Sequence, residues 1–218
     1  MATFTLPPRP DDIATDGTCD EGWRCLGLLT PGAHRTKYVK PNFSFEIAEP
    51  GWENLRGAGG LFDIRLTDSP GDELWFLQEV TARSAEGERP FGVSGSAEEL
   101  ANWLAAREDL VIEGPETATV GGLDGMMLTI RVRDDAASGL HDCDAEPCVL
   151  LLGGADPAER STWDWTWALS RGQAMQLWLL DAGDQIVGLN ATAWDGDELT
   201  SLVEEVQPII DSIQFAED

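Results

Sequence analysis

The chain holds only two lysines, two histidines and one tyrosine among its 218 residues. Its 14 basic side chains face 40 acidic ones, a formal net charge of −26. A surface of that sign repels nucleic-acid phosphates and anionic lipid headgroups, which excludes both as primary partners. The acidity itself reads as solubility or life in a salty exterior, with a basic partner or a bound divalent cation as the sharper alternative. No uninterrupted apolar run approaches the roughly 18 residues that a membrane-crossing helix needs. The N-terminal "MATFTLPPRPDDIATDGTCDEGW" also lacks the basic-then-apolar order of a signal peptide. The expectation is either a cytoplasmic protein or an exported one whose signal or anchor lies outside this sequence.

Scarce histidine limits the chemistry available. A Ser-His-acid or Cys-His mechanism needs an imidazole base, and only His34 and His141 could supply one. His141 sits among acids that would keep it protonated. No G-x-S-x-G, H-E-x-x-H or P-loop occurs, and "GAGG" at 57–60 lacks the third glycine and the strand-to-helix setting of a dinucleotide site. With 40 carboxylates, some pair always lies at glycosidase distance, so acidic pairs discriminate little. The reading is of a non-enzyme with no catalytic residue, cofactor or metal, and a carboxylate-dependent hydrolase is kept as a lesser alternative.

Four cysteines fall in two close pairs, Cys19 with Cys25 and Cys143 with Cys148. The second pair lies in "HDCDAEPC", beside His141. A zinc site favours cysteines two to four residues apart, and a thioredoxin-like pair needs two intervening residues. Here the pairs enclose five and four residues. A Cys₄ site, or one using His141, is geometrically allowed, but local disulfides fit better and point to an oxidising compartment. Each such bridge closes a short loop and contributes roughly 2 kcal/mol, so it shapes a loop more than it holds a fold. The acidic stretches at 134–144, 181–185 and 195–198 do not follow the order of a calcium loop, and the last two read as a hairpin turn and a helix cap.

The hydrophobic pattern supplies the architecture. Residues 1–40 are rich in Pro, Gly, Asp and Thr and read as an extended N-terminal arm or linker; 41–218 read as one α+β domain. "FSFEIA" and "LFDIRLT" alternate as strands, "EPGW" turns the chain between them, and "LWFLQEV" is a third apolar run. "SGSAEELANWLAARE" is a helix opened by the Ser96–Glu99 capping box, with Leu100, Trp103 and Leu104 as its buried stripe. After the turn "GGLDG", Met126, Leu128, Ile130 and Val132 keep the period of a half-buried strand. "CVLLL", "WDWTWALS", "QAMQLWLLD" and "QIVGLNATAW" form a meander. A closing helix from Leu199 to Ile213 opens at Asp195 and Glu198 and carries Pro208, which should kink it. The sum is an α+β fold: a mostly antiparallel sheet of about seven to nine strands covered by two main helices.

Nine tryptophans are present, and "WDWTWAL" puts Trp163, Trp165, Trp167 and Leu169 on one strand face. That face reads as buried beneath the closing helix. Its outer members, Trp163 and Trp165, are the candidates for a ligand platform. The sequons at Asn42 and Asn190 read as incidental.

The succession "LTPGAHRTKYVKPNFSFEIAEPGWENL", "WLAAREDLVIEGPETATVGGLDGMML", "CDAEPCVLLL", "LWLLDAGDQIVGLNATA" and "IIDSIQF" resembles extracytoplasmic domains of bacterial cell-envelope proteins. Its β-β-β-α-β-β-β-α order is similar to the PsbP-like α/β/α sandwich, found in a photosystem II extrinsic subunit and in envelope lipoproteins. The resemblance spans Leu29 to Phe215 and rests on structural motifs. It implies a secreted or surface-displayed binding module for an unknown protein or small ligand, or an assembly or sensory domain of a larger anchored protein. It transfers no catalytic residue.

Overall fold

The computed structural model describes residues 27–36, 39–58, 60–69, 71–84, 90, 93, 95–136, 140–143, 146–154 and 166–216. Its centre is an eight-stranded sheet in which every neighbouring pair is antiparallel. Across the sheet run β1 (Gly27–Leu28), β4 (Trp52–Ala58), β5 (Leu61–Leu66), β6 (Glu73–Leu77), β14 (Gln185–Ala193), β13 (Ala174–Ala182), β9 (Leu123–Val132) and β8 (Leu110–Val120). A three-stranded sheet joins β2 (Gly32–Thr36), β3 (Phe43–Ile47) and β15 (Gln214–Phe215). A third sheet holds β10 (Leu140–Cys143), β11 (Glu146–Gly153) and β12 (Thr166–Ser170), with β7 (Thr81–Ala82) on β11. The expected α+β class, a large antiparallel sheet with two helices, is what forms.

Alternation along the central strands builds two cores, one on each face. On β13, Ala174, Trp178 and Leu180 enter one core, while Met175, Leu177 and Leu179 enter the other. The first core is roofed by α2 (Leu199–Asp211) and the small sheet, the second by α1 (Ala97–Ala105) and the third sheet. Strand β14 is buried on both sides along nearly its whole length, which explains its near-continuous apolar spelling.

Both helix starts follow from side chains seen in the sequence. Ser96 Oγ accepts from the Glu99 amide at 3.2 Å, and Asp181 Oδ1 accepts from the Ala97 amide at 2.8 Å. Asp195 caps a short 3₁₀ turn, Gly196–Glu198, by accepting from the Asp197 amide, and α2 follows directly. Pro208 lies inside α2, and the helix ends where Ser212 returns both its amide and its hydroxyl to the Ile209 carbonyl. At the other sheet edge, β8 carries Pro115 and a register shift between Glu113 and Glu116. Both interrupt the row of edge amides that would otherwise pair with another chain.

Two expectations need correction. Residues 27–36, placed in an arm, instead form β1 and β2, and His34 and Thr36 point inward where apolar residues usually stand. His34 is buried because Nε2 bonds the Thr30 carbonyl at 2.7 Å while its ring stacks on Phe45 at 5.5 Å. "EPGW", read only as a turn, also begins β4, whose Trp52 is a core residue. Residues 1–26 lie outside the described part.

The small sheet is attached through aromatic rings. Phe43 stacks on Phe76 at 4.4 Å and meets Phe62 edge-on at 6.0 Å, while Phe45 lies 5.8 Å from Phe62. Aromatic pairs in these geometries add to the burial of large rings. Phe43→Ala is therefore expected to lower unfolding free energy by about 3–5 kcal/mol, measured by denaturant titration.

Candidate functional site

The outward row of the small sheet collects polar side chains that the fold itself does not use. With Phe43, Phe45 and Ile47 facing the core, Ser44 between them must face out. Register places Arg35 opposite Ser44 on one side and Gln214 opposite it on the other. Glu46 stands one row back, opposite Ala33, and its amide is held by Ser212 Oγ at 2.8 Å. Arg35, Ser44 and Gln214 make no side-chain hydrogen bond or ion pair among the described residues.

A groove of about 480 Å³ opens at this end of the sheet, lined by Arg35, Thr36, Asn42, Phe43, Ser44, Gln214, Phe215 and Ala216. Half-buried Phe215 lies 5.7 Å from Phe43 and against Gly121 in the β8–β9 turn. Gly121 has φ of +59°, and a Cβ there would come within 2.7 Å of the Phe215 ring. The "GGLDG" and "SIQF" motifs therefore touch: the glycine leaves room for the phenylalanine that walls the groove.

A second polar feature lies on the opposite face of the large sheet. Asn190, Trp75 and Asp63 form one cross-strand row on β14, β6 and β5; Thr192, Glu73, Arg65 and Glu53 form the next. Within it Trp75 Nε1 donates to Glu73 at 2.7 Å, Arg65 Nε donates to Glu53 at 2.8 Å, and Thr192 Oγ1 bonds Asn190 Oδ1 at 3.0 Å. Trp167 of β12 packs edge-on against Trp75 at 4.6 Å. Asp63 and Asn190 are fully buried, so the row they form with Trp75 is internal, while Arg65 and Glu73 in the next row are partly exposed. Burial also removes the Asn190 sequon from any modifying enzyme in the folded state.

Among the described residues no group of three potential metal ligands converges. Cys148 is fully buried and disulfide-bonded. On the β10–β11 hairpin Cys148 stands opposite His141, and Cys143 opposite Glu146, so Cys143 and Cys148 are diagonal rather than directly paired. Cys19, Cys25, Trp163 and Trp165 lie outside the described residues. The exposed indole that the structure does describe is Trp194, 64% accessible at the end of β14 and laid across Gly71. Neither Trp194 nor the groove stands out in the sequence. The groove arises from cross-strand register, and "SFE" carries no signal of what lies opposite Ser44.

No protein-family model matches the sequence, and no curated protein matches it. Among solved structures, cyanobacterial PsbP (CyanoP) from Synechocystis is similar at 13% identity and a TM-score of 0.41, covering 88% of this chain and 98% of that one. LpqN, involved in cell envelope biogenesis of Mycobacterium tuberculosis, is similar at 13% identity and a TM-score of 0.42, covering 91% and 94%. Similarity at that level assigns neither a family nor a role to this chain.

Asp72, beside Trp194, is the acid whose environment makes a pH test. Burial raises its carboxyl above the ordinary 3.8, partly offset by the Trp194 amide and the Ser69 hydroxyl. An acid with a raised folded pKa favours folding below its unfolded pKa and loses that advantage as pH climbs through the folded value. Asp72→Asn should thus raise the melting temperature slightly at pH 7, and the gain should vanish near pH 3.

Proposed function

We propose that the chain is a non-catalytic binding module working outside the cytoplasm, with its ligand seated in the groove of the small sheet. One observation carries the reading: Arg35, Ser44 and Gln214 stand in a row with no internal partner among the described residues, beside a groove walled by Phe215. A concave site with a few uncommitted polar groups and an aromatic wall is the arrangement small ligands use, and about 480 Å³ suits one.

The compartment is supported by Cys148, since a buried disulfide persists in oxidising surroundings. An assembly domain is less well supported, because it needs a broad apolar patch. The exposed large apolar residues described are Leu28, Val111 and Trp194. They sit on β1 and β8, the two opposite edges of the large sheet, and at the end of β14. A hydrolase is also less well supported. Asp72, whose carboxyl burial raises, is held by the Trp194 amide and the Ser69 hydroxyl, and the fully buried Asp63 has no access to solvent in the folded state.

Amide NMR spectra of the labelled protein, recorded against mixtures of small organic fragments, test the site. Binding fragments should move the Ser44, Gln214 and Ala216 resonances first. Hits that cluster at Trp194, or none that touch the groove, would move the function elsewhere.

A further inference from the structure

We infer that the groove takes a small amphipathic anion: a carboxylate or phosphate head on Arg35, Ser44 and Gln214, with an apolar body along Phe215. This rests on the groove being the binding site.

In a chain with 40 acids and 14 bases, a cation should find a carboxylate easily. Arg65, Arg107 and Arg133 do so, with Glu53, Asp109 and Asp135. Among the described residues Arg35, Arg131 and Arg171 do not, and of these Arg35 is the exposed one that lines the groove, with Glu46 only one row back on the next strand. Its direct cross-strand neighbour is a hydroxyl, and the next strand over presents an amide. Adjacent members of such a row lie roughly 5 Å apart, so the three can converge on one oxyanion. Together they offer a planar guanidinium fork, an amide NH₂ and a hydroxyl, a set rich in donors that matches carboxylate or phosphate oxygens. The surrounding negative field opposes anions in general, so affinity for one must come from this local cluster.

The test uses the whole chain and two fluorescent probes that share an apolar body. 8-Anilinonaphthalene-1-sulfonate carries an anionic head, and N-phenyl-1-naphthylamine carries none. The sulfonate should bind saturably, and Arg35→Gln, a change at an exposed residue, should weaken it about tenfold or more while the melting temperature holds. The neutral probe should be insensitive to Arg35→Gln. Phe215→Ala, and Ala216→Trp as a groove-filling change at an exposed position, should weaken both probes. Displacement of the sulfonate by octanoate or by octyl phosphate then tells which head group is preferred.

If Arg35→Gln leaves sulfonate binding unchanged while the groove variants weaken both probes, the anion inference is overturned and the groove stands. If the groove variants change neither probe, or the sulfonate does not bind the unmodified protein, both ideas fall.

Discussion

Four phenylalanine rings, Phe43, Phe45, Phe62 and Phe76, fix a three-stranded sheet to one face of an eight-stranded one. Nearly all else of functional interest depends on that attachment. Because Phe43 and Phe45 point inward, Ser44 points outward. Because β15 pairs with β3, Gln214 and Phe215 are brought to the same place from the far end of the chain. The groove is thus assembled from residues near positions 35, 44 and 215, and it exists only while the rings hold the sheet down.

The charge balance adds a second constraint. A chain this acidic can satisfy its arginines internally, and several are used as structural pins. Arg107 bonds Asp109 and the Leu150 and Arg83 carbonyls while lying over Trp103, which ties the end of α1 to the third sheet. Arg35 is spared such duty.

Much of the architecture was legible from residue spacing. Alternation along "FSFEIA" and "MMLTIRVR", the Ser96 cap and the apolar stripe after Asp195 each correspond to a formed element. Other elements carry no such signal, for physical reasons. β2 uses a histidine and a threonine as its inward residues, so it carries no hydrophobic period. β4 is broken by a bulge between Asn54 and Arg56, which disrupts strict alternation. The candidate site was not legible at all, because its three donors come from three segments joined only by register. The "WDWTW" spacing predicts burial beneath the closing helix, but Trp167 packs on Trp75 in the core roofed by α1, on the other face of the large sheet.

Native-state amide hydrogen exchange tests most directly whether the small sheet is an integral, pre-formed part of the protein. The account predicts that amides of Phe43–Ile47 exchange only with global unfolding, at the same free energy as those of Leu177–Leu180 and Val187–Ala191. Exchange of β3 at a much lower free energy, while β13 and β14 stay protected, would contradict it. The groove would then be a transient feature of a loosely held sheet.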